Sequence, residues 1–345
     1  SNLAGTRRPI KETLVATVFV NGDSTIKESM PSVTLLREHS FEVRMIGNDR
    51  FGKGLASDAE QIEILQGADA VIAWGERYPA NVLKALPDLR VIARFGVGFD
   101  KIDMGVATEH GVVVTITPNS NHETVAEHAM ALIMGLAKSI VTGDVTMRRG
   151  QWSNHARSPI RGSTLGIVGL GRIGRSLAVR ALGMKMRVIS AELYPDKDFV
   201  ETNGIEIVDL DTLLGQAEFV SLNCPLNNET RGLINKNTLS LMRPNTFLIN
   251  SARGGLVVER DLVSALENGQ IAGAGLDVFE EEPTPSNNPL FELDNVILSA
   301  HIAGTDDLSL DDMGLEAAQC IIDLFDGTWP AGSVVNDELR GRWKW

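Results

Sequence analysis

The stretch Leu165-Gly166-Ile167-Val168-Gly169-Leu170-Gly171-Arg172-Ile173-Gly174 constrains this chain more than any other. Residues of strand character, Leu165 to Val168, run into Gly-x-Gly-x-x-Gly. Arg175 to Leu182 then place Leu177, Ala178, Ala181 and Leu182 at helical spacing. A strand, a glycine turn and a helix in that order fit a dinucleotide site. Gly169 permits the tight turn, Gly171 lets the backbone approach a pyrophosphate, and Gly174 lets the helix lie close against the strand. Arg172 and Ile173 lie in the same turn, where free N–H groups and the positive end of the helix dipole receive phosphate charge. Residues 186–190 read as the next strand, and Glu192 stands just past its end. A carboxylate there accepts hydrogen bonds from both hydroxyls of an adenosine ribose and repels a 2′-phosphate, which favours NAD over NADP.

At 345 residues the chain exceeds what one core usually holds, and two domains are expected. The first third alternates strand-like and helix-like runs. Strands are expected at 14–20, 41–46, 70–73, 91–93 and 112–114; helices at 26–38, from an N-cap at Asp58 to 66, at 80–85 and at 103–110. Such alternation predicts a parallel sheet with helices on both faces. Pro118-Asn119-Ser120-Asn121 breaks the rhythm and opens a long helical stretch, 123–147, whose apolar stripe is Val125, Ala129, Leu132, Ile133 and Leu136. Residues 150–162 are polar and loop-like. The rhythm restarts at Thr164, with buried strands expected at 219–223, 247–249, 273–276 and 296–299. A last helix is expected at 308–325, stopped by Gly327. The expected fold is therefore α/β: two doubly wound parallel-sheet domains joined by long helices. Residues 340–345 read as a surface tail.

A net charge of −13 disfavours non-specific binding to nucleic acid or an anionic membrane, although a local Arg cluster can still hold an anionic substrate. No apolar run reaches membrane-spanning length, and Arg7, Arg8, Lys11 and Glu12 interrupt any signal-peptide pattern. Cys224 and Cys320 are far apart and lack metal-ligand spacing. They read as buried small hydrophobes in a reducing cytoplasm, and no metal site is expected.

Three stretches carry reactive groups. Strand 247–249 delivers Arg253 at its carboxyl end, where α/β sheets bind ligands; its planar fork suits a carboxylate or keto-acid oxygen, or a structural acid. Strand 273–276 is followed by Asp277 and by the acidic run Glu280-Glu281-Glu282 before Pro283. The strand at 296–299 presents His301. The other five histidines (His39, His110, His122, His128 and His155) lack such a strand-end position and read as structural. A carboxylate beside His301 would favour its protonated form and orient its ring, so that it donates a proton to a carbonyl while hydride arrives from a nicotinamide.

Gly169-Leu170-Gly171-Arg172-Ile173-Gly174, Asn250-Ser251-Ala252-Arg253-Gly254-Gly255, Asp277-Val278-Phe279-Glu280-Glu281-Glu282-Pro283 and Ser299-Ala300-His301-Ile302-Ala303-Gly304 occur in that order. In these motifs the chain resembles the NAD-dependent D-isomer-specific 2-hydroxyacid dehydrogenases. Arg94-Phe95-Gly96-Val97-Gly98-Phe99-Asp100, Val125-Ala126-Glu127-His128 and Asn223-Cys224-Pro225-Leu226 extend the likeness over roughly residues 70–336. The resemblance implies that Arg253 binds and polarises the keto acid, His301 exchanges the proton and Glu282 holds the imidazolium. Asp277 would hold the nicotinamide carboxamide. Cys224, Pro225, Thr230, Ala252 and Gly304 would line the cofactor, beside Arg253 and His301. The backbone at Val97 and Gly98 would take the substrate carboxylate, with Arg77 and Arg94 as further substrate-binding residues. It also implies a discontinuous substrate domain (1–118 plus 303–345) around an NAD domain (119–302), with the active site in a cleft that closes about hinges near Pro118 and Ala303. A homodimer through the 123–147 region would follow.

Substrate identity stays open. Phosphoglycerate dehydrogenases resemble the chain closely but place more basic groups where Ala73 and Trp74 stand, and many carry a serine-binding regulatory domain after the last helix. Glyoxylate or hydroxypyruvate reduction is thus expected as readily as 3-phosphoglycerate oxidation. A non-enzymatic NAD-sensing corepressor on the same scaffold is the alternative from another class. A formate-type dehydrogenase fits the His301-Ile302-Ala303-Gly304 context less well.

Overall fold

A computed structural model describes residues 15–22, 26–152 and 154–345. The chain divides into two compact units, one of residues 1–120 and 310–345 and the other of 121–309. Among the described residues the strands form two all-parallel sheets, five-stranded and seven-stranded.

The five-stranded sheet has β1 (Thr17–Asn21), β2 (Glu42–Ile46), β3 (Ala70–Ala73), β4 (Val91–Arg94) and β5 (Val113–Thr115) in the order β2-β1-β3-β4-β5. Residue 14, expected to open β1, lies outside the described residues. Alternate side chains enter two separate cores. Val18 and Val20 pack with Ile72, Val91 and, from the helix Asp307–Phe325, Ala317 and Ile321. Phe19 points the other way, to Val71, Ile92 and Val114. Both faces are covered, which is why these strands read as continuous apolar runs.

Three expectations for this unit need correction. The helix expected from residue 26 is Pro31–Glu38, because proline suits a first helical turn and holds Met30 in an extended conformation (φ −65, ψ 147). The helix Asp58–Leu65 is capped by Ser57 instead of Asp58, in a reciprocal box with Glu60. Residues 340–345 are not a surface tail. Trp343 and Trp345 pack against the core, with Trp345 edge-on to Phe325 at 5.0 Å, and Trp343 Nε1 donates to the Gly111 carbonyl at 2.7 Å. The indole area outweighs the polarity of the neighbouring residues.

The seven-stranded sheet has β6 (Thr164–Val168), β7 (Arg187–Ala191), β8 (Glu206–Ile207), β9 (Phe219–Leu222), β10 (Phe247–Asn250), β11 (Gly273–Leu276) and β12 (Val296–Leu298) in the order β12-β11-β10-β9-β6-β7-β8. β12, expected to be buried, is a half-exposed edge strand with a neighbour on one side only. The strand order reverses between β6 and β9, so a ligand crevice opens beyond their carboxyl ends. On one face Ala126, Ala129, Leu132 and Ile133 of the helix His122–Lys138 pack with Leu165, Ile167, Phe219 and Ile249. Gly275 lets that helix approach closely, since a Cβ there would lie 3.0 Å from Leu132 Cβ.

The single helix expected over 123–147 is broken. Ser139 takes a left-handed conformation (φ 50), and a second helix, Ile140–Arg148, leaves at 56° to the first. The apolar stripe that binds the first helix to the sheet ends at Ala137. There Ser158 donates its N–H to the Ala137 carbonyl, and Lys138 Nζ donates to the Ser158 carbonyl. None of the second helix's nine residues is buried. Among the described residues no single helix is long and apolar enough to cross a membrane.

Candidate active site

At the switch point two glycines of the turn, Gly169 and Gly174, have distinct steric reasons. Gly169 adopts φ +94, and a Cβ there would lie 2.8 Å from the Cys224 nitrogen, so the end of β6 presses on the loop after β9. A Cβ on Gly174 would lie 2.3 Å from the Gly169 carbonyl oxygen, which fixes the close start of the helix Arg172–Gly183. Gly171, the N-cap, has open space where a Cβ would go, and no side chain caps the helix. A helix start without a side-chain cap suits the charge of an outside anion. Glu192, just beyond β7, lies against this turn: its Oε2 accepts the Leu170 N–H at 2.6 Å and its Oε1 the Tyr194 N–H at 2.9 Å. Cys224 stands behind the turn. Burial, reinforced by the Glu192 charge, pushes its thiol up to about 11, so it stays protonated. Thr230 folds back, donating through Oγ1 to the Pro225 carbonyl at 2.7 Å.

The carboxyl ends of β10, β11 and β12 lie side by side on the same edge. β10 delivers Arg253, half-buried, with Nη1 donating to the Ala252 carbonyl at 2.6 Å. Its neighbour Gly254 has no room for a side chain, since a Cβ would lie 1.8 Å from the Phe279 carbonyl oxygen. That contact seats the β10 loop on the β11 loop. Beyond β11, Glu282 Oε1 accepts the Phe279 N–H at 3.1 Å, and Oε2 meets His301 Nδ1 at 2.9 Å. An ionised carboxylate only accepts, so Nδ1 carries the proton and Nε2 is the ring atom left for exchange. Glu280 and Glu281 are exposed.

Asp277 is fully buried. Its Oδ1 accepts from Ser299 Oγ at 2.6 Å and from the Ile302 N–H at 2.9 Å, and its Oδ2 accepts the Ala303 N–H at 2.8 Å. These bonds fill three of a carboxylate's roughly four acceptor positions. Next in the chain, a Cβ on Gly304 would lie 3.0 Å from Asn121 Nδ2.

Residues 130–303 match the family described as the D-isomer specific 2-hydroxyacid dehydrogenase, NAD binding domain. A glyoxylate reductase of Korarchaeum cryptofilum is 39% identical over 286 residues, 81% of this chain and 86% of the relative. The chain belongs to the D-isomer-specific 2-hydroxyacid dehydrogenases. A D-3-phosphoglycerate dehydrogenase of Archaeoglobus fulgidus is 34% identical over 89% of the chain, which spans only 58% of that relative's length. Among solved structures, a D-lactate dehydrogenase of Aquifex aeolicus, complexed with NAD and lactic acid, superposes with a TM-score of 0.80 at 28% identity, covering 92% of this chain and 98% of that one. The cofactor of the family is NAD, and the uncapped helix start, the open Gly171 position and the Glu192 carboxylate fit it.

The remaining residues that sequence reasoning assigned to this dehydrogenase lie in the other unit. Arg94 is buried and its Nε donates to the Gly98 carbonyl at 2.9 Å, which fixes the turn carrying Val97 and Gly98. Arg77 is exposed, its guanidinium 3.7 Å from Asp58. Glu76, not among the expected site residues, is a buried carboxylate that accepts from Asn21 Nδ2 at 2.5 Å, the Trp74 N–H at 2.9 Å and the Tyr78 hydroxyl at 3.0 Å. An acid beside Trp74 and Tyr78 was the only signal. His128 and Ser299, both within stretches that resemble the family, lie behind Asp277, with Ser299 Oγ 2.9 Å from His128 Nε2.

Proposed function

We propose that this dehydrogenase interconverts a small 2-keto acid and its D-2-hydroxy acid, with His301 as acid and base, Glu282 as its partner and Arg253 as the substrate's cationic anchor. The observation that carries the reading is the 2.9 Å contact of His301 Nδ1 with Glu282 Oε2 on the sheet edge that also bears the glycine turn. With Nδ1 committed, Nε2 donates a proton to the carbonyl oxygen during reduction and takes one from the hydroxyl during oxidation. Glu282 balances the charge of the imidazolium. The permanent charge of Arg253 polarises the carbonyl. Bound NAD(H) supplies or accepts the hydride. Its pyrophosphate falls to the turn of Gly169, Gly171, Arg172, Ile173 and Gly174, and its adenosine ribose to Glu192. Cys224, Pro225, Thr230, Ala252 and Gly304 line the rest. Asp277 keeps one acceptor position for the nicotinamide carboxamide, which sets the face presented to substrate. In the other unit the main chain at Val97 and Gly98 takes the substrate carboxylate, with Arg94 bracing that turn and Arg77 adding charge.

Glyoxylate, hydroxypyruvate and 3-phosphohydroxypyruvate are the substrates proposed; named relatives act on glyoxylate and D-3-phosphoglycerate. The enzyme is proposed to work in a reducing cytoplasm as a homodimer. Ile140, Val141 and Met147 on the second helix are 62%, 49% and 53% exposed, above a cavity of about 580 Å³ reaching Val296 and Ile297 of the edge strand. No nucleic-acid or membrane partner is proposed. The test is NADH oxidation with those three acids and pyruvate, repeated with NADPH. Turnover with at least one acid, faster with NADH, is expected. NADH binding without turnover of any of them overturns the reading.

A further inference from the structure

His301 has φ +54, a left-handed backbone conformation that a non-glycine residue keeps only when its surroundings impose it. Asp277 supplies that imposition from both sides. Its backbone carbonyl accepts the His301 N–H at 2.8 Å, and its carboxylate binds Ser299 before the histidine and Ile302 and Ala303 after it.

Behind Asp277 stands a third group. His128, on the helix His122–Lys138, places Nε2 2.9 Å from Ser299 Oγ and 3.7 Å from Asp277 Oδ1. The hydroxyl of Ser299 has one hydrogen, and at 2.6 Å from an ionised carboxylate that hydrogen points to Asp277. Ser299 Oγ must then accept from His128, whose Nε2 carries the proton. The order His128 N–H to Ser299 O–H to Asp277 carboxylate is fixed, and each link polarises the next.

We propose that His128 and Ser299 are positioning residues for His301. By directing the Ser299 hydrogen onto Oδ1 they hold the Asp277 carboxylate in line with the Ile302 and Ala303 N–H groups. The strained turn then keeps the imidazole aligned on Glu282. The helix that packs across the sheet thereby reaches Asp277, which holds the His301 turn, through two hydrogen bonds. Neither residue touches substrate or the reacting atoms. The inference rests on the reading of His301 as the acid and base.

The experiment compares Ser299→Ala, Ser299→Thr and His128→Phe with wild type and His301→Gln in the full chain. Turnover of the best keto acid, the KM and Kd of NADH, and the isotope effect with 4-deuterated NADH are measured for each. Ser299→Ala and His128→Phe should lower kcat roughly ten- to a hundredfold, the scale of an ångström misplacement of a reacting group. NADH affinity should stay within about twofold, because the glycine turn and Glu192, assigned to the pyrophosphate and the adenosine ribose, are untouched. Ser299→Thr, which keeps the hydroxyl, should restore turnover, whereas a general packing defect would spare neither the threonine variant nor NADH binding. If Ser299→Ala and His128→Phe turn over like wild type while His301→Gln is inactive, the positioning role is wrong and the function stands. If His301→Gln is also as active as wild type, the function assigned to His301 falls first.

Discussion

Glu76 is the clearest case of a single residue whose environment sets a measurable property. Its carboxylate is 1% exposed, and burial raises its pKa against the lowering effect of the Arg94 charge. Above the unfolded value of about 4.5 the folded chain therefore holds a proton that the unfolded chain has released. The stability this group confers is full below that pH and is lost as pH rises toward the raised native value. Glu76→Gln keeps the shape without the titration. In urea unfolding at stepped pH, wild type should lose stability relative to Glu76→Gln as pH climbs from about 4.5. A difference that stays constant across that range contradicts the argument. Nothing in the sequence marks Glu76 as buried. Its surroundings come from Asn21 on β1 and Arg94 on β4, which only the sheet brings together.

The glycine turn is the element whose function and packing separate most cleanly. A methyl at Gly174 meets the Gly169 carbonyl, so Gly174→Ala should cost the fold roughly 1–3 kcal/mol as well as weakening NADH binding. A methyl at Gly171 meets nothing in the chain, so Gly171→Ala should leave the Tm nearly unchanged while weakening NADH at least about tenfold, through lost pyrophosphate contact. Thermal melts and fluorescence titration with NADH check both, and Gly171→Ala binding NADH like wild type counts against the site. This turn was legible in the sequence because its chemistry is local: strand, turn and helix follow one another within twenty residues. The joining of Glu282 to His301 is not local, and spacing alone did not reveal it. It depends on β11 pairing with β12 and on a turn held by Asp277. The break at Ser139 was hidden for another reason. Ile140, Val141 and Val145 continue an apolar pattern whose burial the chain itself does not supply. His128 was read as structural because a histidine on a helix gives no sign of which strand end it faces.

At the scale of the whole molecule, the two sheets were expected from the repeated strand and helix rhythm, and the division of the chain reflects where Pro118 to Asn121 interrupts it. The packing of Trp343 and Trp345 was not readable, since nothing in a short polar stretch with two indoles says which surface receives them. The exposed face of the helix Ile140–Arg148 carries the proposed self-association. Val141→Asp places a charge on that face without touching the sheet's core, so light scattering after gel filtration should show a mass halved relative to wild type. An unchanged mass would place the dimer contact elsewhere.

The proposed chemistry requires His301 as the proton-transfer group, and the direct test is steady-state turnover of His301→Gln beside wild type, with NADH affinity measured on both. The predicted result is a loss of roughly 10²–10⁴-fold in kcat with NADH binding retained, the usual contribution of a positioned acid or base. Wild-type turnover in His301→Gln would contradict it.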